Sequence, residues 1–370
     1  MKYSLHLEDD RLPRTVFYQR LREAMLASPR FESDATRADV MIPAEDTAQE
    51  SNWPRFGDQA SAYIRGRPSR SMPAAQAAID AYLDRVVGLG RVVCVINAHP
   101  FRRVPLALAD HRHVLVADIN LQAWERALNP RTISLPALPV TVGTPRADSR
   151  SVLASFRGAA SHPSRLALRD IHDGRYIVCE LVARRNHARK VDATSGRVDK
   201  AYADLLADSV FAFVPRGDAH FSYRLLEVMS FGCIPIILSD GLVPPFDRTI
   251  DWSALSLTVP ENAISEIPAM LARFSARRIA ELQHEVVATY QAKLATIGQV
   301  VESLFDEIEA VVATHKSEEA AAGAAAPEME ALLAAYRDRA RVRGTTSAQA
   351  SEALQASLSR LRGWIGRLIR

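Results

Sequence analysis

Residues 209–252 read SVFAFVPRGDAHFSYRLLEVMSFGCIPIILSDGLVPPFDRTIDW. The runs Val210–Val214 and Ile234–Leu238 are short and wholly apolar, which is typical of parallel strands that are buried on both faces. Between them lie the turn-forming letters PRGD and the segment Ser222–Ser230, whose apolar residues recur at helical spacing. Gly232 follows at the position of a left-handed C-terminal cap. The stretch therefore predicts a strand, a loop, a helix and a second strand.

The same unit predicts an anion site. In open parallel sheets, ligands bind beyond the carboxyl ends of the strands, and a helix N-terminus attracts phosphate. Arg216 and Arg224 flank the predicted helix start and can pair with phosphate oxygens, while Gly217 allows a tight turn. Glu227, on the first turns, can accept hydrogen bonds from vicinal ribose hydroxyls, because an ionised carboxylate is an acceptor only.

Two more polar residues border this predicted site. Ser222 can cap the helix or donate to a phosphate oxygen. Asp240 begins the Asp-Gly loop after the second strand, and this loop can close the other wall.

Short apolar runs alternate with helical patterns along most of the chain, which predicts an α/β fold with parallel sheets covered on both faces. The other strand candidates are Tyr3–Leu7, Val40–Ile42, Val92–Ile96, Val114–Val116, Val152–Phe156 and Tyr176–Val182. The other helix candidates are Thr15–Ala27, Ala74–Val87, Ser164–Ile171 and Lys200–Ala207.

The polar, Pro-marked stretch Leu135–Arg150 interrupts this alternation and is interpreted as a linker between two α/β halves. We expect domains at residues 1–140 and 146–300, then a helix at 301–316 that packs back on the body. An Ala-rich linker at 317–327 and a basic amphipathic helix at 328–370 complete the predicted order, as a C-terminal helical extension.

The composition of the chain argues against several classes of protein, namely nucleic-acid-binding, secreted and membrane-spanning proteins. Of the 370 residues 48% are hydrophobic, and the formal net charge of +3 gives no global basic field for nucleic acid. The first residues lack a signal-peptide core, and no run reaches the roughly 18 apolar residues of a membrane span. Cys94, Cys179 and Cys233 lie inside apolar runs, as buried reduced thiols do. These features predict a cytoplasmic protein.

The stretch 209–252 resembles the exostosin-type glycosyltransferases. The residues that carry the resemblance are Pro215-Arg216-Gly217, Ser222-Tyr223-Arg224-Leu225, Glu227, Met229, Gly232-Cys233-Ile234-Pro235, Ser239-Asp240, Pro245-Phe246 and Asp251-Trp252. Weaker similarity extends over about residues 38–290, and it includes Phe156-Arg157-Gly158 followed by Ser164-Arg165.

The resemblance implies a GT-B fold, in which two Rossmann-like domains face a central cleft, together with inversion at the sugar carbon and a nucleotide-sugar donor without a required metal or other cofactor. The chain has no Asp-x-Asp pair of the kind that holds a divalent ion in metal-dependent transferases. Arg157, Arg216 and Arg224 are then the candidates to neutralise the departing diphosphate. The full donor-binding set is Arg157, Arg216, Gly217, Ser222, Tyr223, Arg224, Glu227 and Asp240.

Inversion by direct displacement needs a base for the acceptor hydroxyl. In a two-domain arrangement we expect this base to come from the N-terminal half. His99 follows a predicted strand directly, and the unperturbed imidazole pKa of about 6.5 suits the task. Asp118 ends the next strand and is the competing candidate. The alternative for His99 is that it only caps a loop before Pro100.

The segment from Ser351 onward combines a leucine-rich face with arginines and a tryptophan. The apolar positions are Leu354, Leu358, Leu361, Ile365 and Leu368. Such a helix can lie on an anionic membrane surface, or it can dock on the protein body or on a partner helix. The first alternative predicts contact with the inner face of the membrane.

The predicted function is transfer of a sugar from a nucleoside diphosphate sugar, with UDP expected, to a glycan or lipid-linked acceptor in surface polysaccharide synthesis. Two alternatives remain. One is another nucleotide-sugar enzyme of this fold, such as an epimerase or a phosphorylase. The other is a non-catalytic partner or binding subunit.

Overall fold

The computed structural model describes residues 1–6, 16–43, 92–98, 113–146, 149–182 and 199–321. These residues form two five-stranded sheets, one in each half of the chain, and every strand pair is parallel. Helices pack on the sheets, so the predicted α/β fold class is confirmed.

The first sheet has its strands in sequence order, β1-β2-β3-β4-β5. The strands are β1 Tyr3–His6, β2 Val40–Pro43, β3 Val92–Asn97, β4 Val114–Asp118 and β5 Thr132–Ser134. The helices of this half are α1 Val16–Ala27 and α2 Ala123–Leu128. Asn97 and Asp118 are register partners, so their side chains meet at the carboxyl edge of the sheet.

The second sheet has the order β10-β9-β8-β6-β7. Its strands are β6 Val152–Ala159, β7 Ile177–Val182, β8 Ser209–Pro215, β9 Ile234–Leu238 and β10 Leu257–Thr258. The helices are α3 Pro163–Ala167, α4 Lys200–Ala207, α5 Arg224–Ser230, α6 Ile267–Leu271 and α7 Ala276–Thr289. The order reverses between β6 and β8, which makes their carboxyl ends the topological switch point, where open α/β sheets bind ligands.

The predicted strands agree with the structure to within one or two residues at most ends. Strands β5 and β10 were not predicted, because three and two residues are too few for a periodic pattern. Helix α5 starts at Arg224 and not at Ser222. The predicted helix Ala74–Val87 lies outside the described residues.

The carboxyl edges of the two sheets face each other. Asn120, just beyond β4, accepts hydrogen bonds at its Oδ1 atom from the backbone N–H groups of His220 (2.8 Å) and Phe221 (3.3 Å), which follow β8. Arg126 binds both carboxylate oxygens of Asp247 across the same boundary, at 3.0 and 3.1 Å. Two Rossmann-like domains with facing carboxyl edges are the predicted GT-B arrangement.

Helix α8, Ile297–Ala321, returns the chain to the first half, after a π-helical turn at Tyr290–Leu294. The ring of Tyr3 stacks on Phe305 with centroids 3.7 Å apart, and Arg30 binds Asp306 at 2.8 Å. The helix is longer than the predicted 301–316 and extends into the predicted spacer 317–327, because the alanine-rich sequence there favours helix. No helix of the described residues is long and apolar enough to cross a bilayer. Residues 328–370 lie outside the described part of the chain.

Two of the three left-handed glycines in the second domain, Gly232 and Gly241, give a stability prediction. Gly232 has φ +70° and Gly241 has φ +80°. A Cβ atom at Gly232 would lie 3.1–3.2 Å from atoms of Pro145, Arg150 and Val287, whereas one at Gly241 would meet nothing within 4 Å. We expect Gly232→Ala to lower the free energy of unfolding by about 2 kcal/mol, and Gly241→Ala by about 1 kcal/mol, since only the former adds crowding to backbone strain.

Urea denaturation of both variants measures the two costs side by side. Equal losses would show that the loop around Gly232 relaxes freely and that crowding contributes nothing there.

Candidate functional site

One buried arginine joins the two strands of the switch point. Arg165 on α3 donates from Nε to the carbonyl of Arg216 (2.8 Å), from Nη1 to that of Ala159 (3.2 Å) and from Nη2 to that of Pro215 (3.3 Å). Its guanidinium also lies 5.7 Å from the ring centroid of Phe156. Since Ala159 ends β6 and Pro215 ends β8, Arg165 fixes the distance between the two strand ends.

Gly217 lies in a crowded position. A Cβ atom there would lie 3.1 Å from Nη2 of Arg165 and 3.3 Å from the hydroxyl of Ser161, so both side chains would have to move by a few tenths of an ångström. The backbone of Gly217 is not in the left-handed region. The close approach of Arg165, and not the turn expected from the sequence, therefore favours glycine here.

A charged cluster surrounds Arg216, beside the strand ends that Arg165 connects. The Nη1 atom of Arg216 lies 2.8 Å from Nε2 of His220 and 4.0 Å from Oε1 of Glu261. Burial lowers the pKa of Arg216, and the carboxylates of Glu261 and Asp240 oppose that shift. Its Nε atom is buried and has no hydrogen-bond partner among the described residues. The guanidinium thus keeps donor capacity at the carboxyl edge of β8.

His162 borders the other side of the cluster. It is the N-cap of α3, where its Nδ1 atom accepts from the N–H of Ser164 at 3.3 Å, and the same atom lies 3.5 Å from Oε2 of Glu261. Burial is the main cause that lowers the pKa of His162, and the charge of Arg216 lowers it further. Since the pKa lies below its ordinary value of about 6.5, the ring is neutral near pH 7.

Asp240, one of the predicted donor ligands, is paired with Glu261. The N–H of Asp240 donates to Oε1 of Glu261 at 3.0 Å, and the N–H of Glu261 donates to Oδ1 of Asp240 at 3.1 Å. The Asp-Gly loop therefore does border the Arg216 cluster, and it adds negative charge there.

Arg157 and Arg224 have different partners from those that the sequence predicted. Arg157 binds the carboxylates of Glu180 and of Asp199, the latter at 3.2 Å. Arg224 donates from Nη2 to the backbone carbonyl of Arg157 at 3.0 Å and lies against the ring of Phe156. Both guanidinium groups hold the end of β6, and neither belongs to the Arg216 cluster.

The carboxylate of Glu227 is buried and holds the interdomain linker. Its Oε1 atom accepts from the N–H groups of Val140 (3.1 Å) and Thr141 (3.0 Å), and its Oε2 atom accepts from the hydroxyl of Tyr202 (3.0 Å). Both lone pairs of Oε1 are thus used by the chain itself. The expectation that Glu227 receives two ribose hydroxyls does not fit this arrangement.

Ser222 and Tyr223 lie at the mouth of the cleft. The hydroxyl of Ser222 accepts weakly from the N–H of Arg224 at 3.4 Å, but the N-cap of α5 is Tyr223, so Ser222 is not the capping residue that the sequence suggested. The ring of Tyr223 is 38% exposed and meets the ring of Phe221 edge-on at 5.2 Å. These two side chains are accessible to a ligand.

Asp118, the competing base candidate, is only 5% exposed. It accepts from the amide of Asn97 at 2.7 Å and from the N–H of Asn120 at 2.6 Å. Through Asn120 it supports the contact with the loop after β8, so its position is that of a structural acceptor. His99, the first candidate, lies outside the described residues.

A small cavity lies between the two halves. Residues of both halves, among them Ser134, His220 and Ser222, line this space of about 20 Å³, which has room for about one water molecule.

Four residues of this site were missed by sequence reasoning: Arg165, His162, His220 and Glu261. Arg165 falls in the weakly similar Ser164-Arg165 pair, which was the available signal. His220 lies inside the most informative stretch, four residues after Arg216, and its pairing with that guanidinium was a signal the sequence offered. The described residues contain no group of three or more His, Cys, Asp or Glu that could hold a metal ion.

Comparison with known proteins agrees with this architecture. Residues 92–274, about half of the chain, match the model of the Exostosin GT47 domain. The Exostosin-1 homolog of Caenorhabditis elegans is 32% identical over 162 residues, which are 40% of this chain and 42% of that protein. A probable glucuronoxylan glucuronosyltransferase of Arabidopsis thaliana, IRX7, is 35% identical over 85 residues, which are 23% of this chain and 19% of that protein.

The chain thus spans less than half the length of these two relatives. Among solved structures, a glycosyltransferase from Rickettsia africae is similar over 84% of this chain and 99% of that chain, with 9% identity and a TM-score of 0.41. The predicted exostosin-type resemblance is confirmed by the family match. Residues 92–274 of this chain form an exostosin GT47 domain within a two-domain α/β fold of the GT-B type.

Proposed function

We propose that the protein is a glycosyltransferase that moves a sugar from a nucleoside diphosphate sugar, with UDP as the expected nucleotide, to a hydroxyl group of a glycan or lipid-linked acceptor. The observation that carries this proposal is the Arg216 cluster at the topological switch point of the second sheet. A guanidinium with unused donor capacity and two neighbouring imidazoles lie at the edge where such sheets bind phosphate ligands.

The proposed reaction is a single displacement with inversion. The acceptor oxygen forms a bond to the anomeric carbon while the bond from that carbon to the phosphate oxygen breaks. The nucleoside diphosphate leaves with the electron pair, and Arg216 stabilises its charge. The acceptor proton passes to a base of the first half, for which His99 remains our proposal, since Asp118 is buried among structural hydrogen bonds.

We propose that no metal ion is required. Positive side chains of the chain itself would neutralise the leaving group, as the absence of an Asp-x-Asp pair from the sequence suggests. Activity that persists in excess EDTA supports this part, and activity restored only by a divalent ion contradicts it.

A second candidate function is a non-catalytic partner or binding subunit of the same fold. The specific observation in its favour is that Arg157, Arg224 and Glu227 are all engaged by protein groups.

Thermal-shift screening against UDP-, GDP- and dTDP-linked sugars tests the donor site, because a ligand that binds only the folded state raises the melting temperature. We expect a rise with at least one nucleotide sugar, and a loss of that rise in Arg216→Gln. Arg169→Gln, on the exposed turn after α3, is the matched control and should keep the shift.

Incubation of the best donor, labelled in its sugar, with cell glycans then separates the candidates. Label in a glycan product supports transfer, whereas binding without product supports the non-catalytic subunit. A different nucleotide sugar as the only product supports an epimerase.

The acceptor class, a place in surface polysaccharide synthesis and a membrane contact through residues 328–370 are further parts of the proposal. The basic, leucine-rich face of that segment would bring the enzyme to an anionic surface that carries a lipid-linked acceptor.

A further inference from the structure

The Arg216 cluster has too little positive charge for a diphosphate. The charged groups that act on His162 and Arg216 are the guanidinium groups of Arg165 and Arg216 and three carboxylates, those of Asp218, Asp240 and Glu261. With neutral histidines the cluster carries a net charge of −1. A diphosphate linked to a sugar brings two more negative charges, and like charges in a partly buried site repel strongly.

Two histidines lie where added protons would make the net charge of the cluster positive. His220 has its Nε2 atom 2.8 Å from Nη1 of Arg216. Because an arginine only donates, the Nε2 atom of His220 accepts here and carries no proton. His162 lies 3.5 Å from Glu261 on the opposite side, and its side chain is 22% exposed. Both rings are thus accessible and unprotonated at the nitrogen that faces the cluster.

We propose that His162 and His220 take up protons when a nucleoside diphosphate sugar binds at Arg216, and that the two imidazolium groups then bind the diphosphate beside the guanidinium. Arg216 turns from His220 to a phosphate oxygen, which frees the Nε2 atom to receive its proton. This inference rests on the proposed function and assigns two donor-site residues to it.

The charged groups around each imidazole ring are consistent with proton uptake when the diphosphate binds. His162 is faced by Arg165, Arg216, Asp218 and Glu261, and burial together with Arg216 lowers its pKa in the free protein. His220 is faced by Arg216, and its backbone is held by Asn120. A bound diphosphate would favour the protonated form of both rings through its negative charge.

The sign of the pH dependence follows. Affinity is highest and flat below the free-state pKa values, falls as the pH rises towards the bound-state values, and is flat and low above them. The fall can reach about tenfold per pH unit for each proton taken up.

Isothermal titration calorimetry of the full chain tests the proposal. The probe is UDP-glucose, UDP-glucuronate or GDP-mannose, whichever gives the largest thermal shift. Their phosphates are diesters and keep a constant charge from about pH 6 to 8.5, the range in which histidine titrates, so any linked proton belongs to the protein. Titration in Tris and in PIPES at one pH measures proton uptake, because the two buffers differ in ionisation enthalpy.

Two substitutions keep each hydrogen bond and remove the titration. His162→Asn keeps an acceptor at the N-cap of α3, and His220→Gln keeps an acceptor for Arg216. We expect the dissociation constant of the original protein to rise about tenfold from pH 6.5 to 8, and that of the double variant by less than about twofold. His284→Gln, at an exposed position of α7, is the control and should behave as the original protein does.

The outcomes are separable. Tight binding without proton uptake, or uptake that the double variant retains, overturns this inference and leaves the proposed function standing. Absence of binding at every pH overturns the proposed function and the inference together.

Discussion

Glu227→Ala is expected to lower the free energy of unfolding by about 3–5 kcal/mol, because it removes a buried carboxylate that accepts hydrogen bonds from three donors. The hydroxyl of Tyr202 and the N–H groups of Val140 and Thr141 would lose their partner. Tyr202 is itself buried, so its hydroxyl would be left without water. Urea denaturation, followed by circular dichroism, measures this loss.

Glu227→Gln is the matched variant. Its amide oxygen can still accept from the two linker N–H groups, and its NH₂ group can donate to the oxygen of Tyr202. We therefore expect a loss of only about 1 kcal/mol, and nucleotide-sugar affinity within about threefold of the original value. The opposite pattern, near-normal stability in Glu227→Ala with affinity lowered more than about tenfold, would restore Glu227 as a ribose ligand.

Arg165→Met is expected to lower kcat/KM for transfer by about 10²-fold, since a displacement of about 1 Å in a catalytic site has an effect of that size. The substitution keeps the apolar stem and removes the side-chain donor from the carbonyls of Ala159, Pro215 and Arg216, of which Ala159 keeps the N–H of Ser161. The strand ends that carry the Arg216 cluster would then shift relative to each other. Steady-state kinetics with the donor and acceptor varied separately provide the measurement.

Because Arg165 acts through main-chain groups, it is a positioning residue, and its variants must be separated from a general loss of folding. Arg165→Lys keeps the charge and some donors, and we expect it to recover part of the activity with the donor KM still raised. Arg169→Met removes an arginine that is exposed on the following turn and should leave both kcat and KM unchanged. Full activity in Arg165→Met at normal stability would show that the strand ends keep their positions without it.

The strands of the second half could be predicted from local sequence patterns. Val210–Val214 and Ile234–Leu238 are uniformly apolar because parallel strands under helices are buried on both faces, and the structure has β8 and β9 at these positions. The turn after β8 was equally readable, since Pro and Gly restrict the chain locally. Such features depend on neighbours within a few residues, and they can therefore be predicted from the sequence.

The roles of the charged residues could not be read in the same way. Arg216, Arg224 and Glu227 are close in sequence and belong to one motif, yet Arg224 binds the end of β6 and Glu227 binds the linker at residues 140 and 141. A long side chain reaches groups that come from distant parts of the chain, and the lowest-energy partner depends on which of them the fold buries nearby. The shared motif predicted that these three residues lie near one another, but it did not predict the group that each side chain binds.

The sequence alone established two α/β halves and the exostosin-type segment, because strand burial, turn chemistry and helix periodicity are local properties. The tertiary structure established which cations remain available there. It placed Arg165 across the switch point, brought His162 and Glu261 from separate loops to the loop that carries Arg216 and His220, and gave Arg157 and Arg224 protein partners. The physical reason is that hydrogen bonds and ion pairs form between groups that packing brings within about 3–4 Å, whatever their separation along the chain.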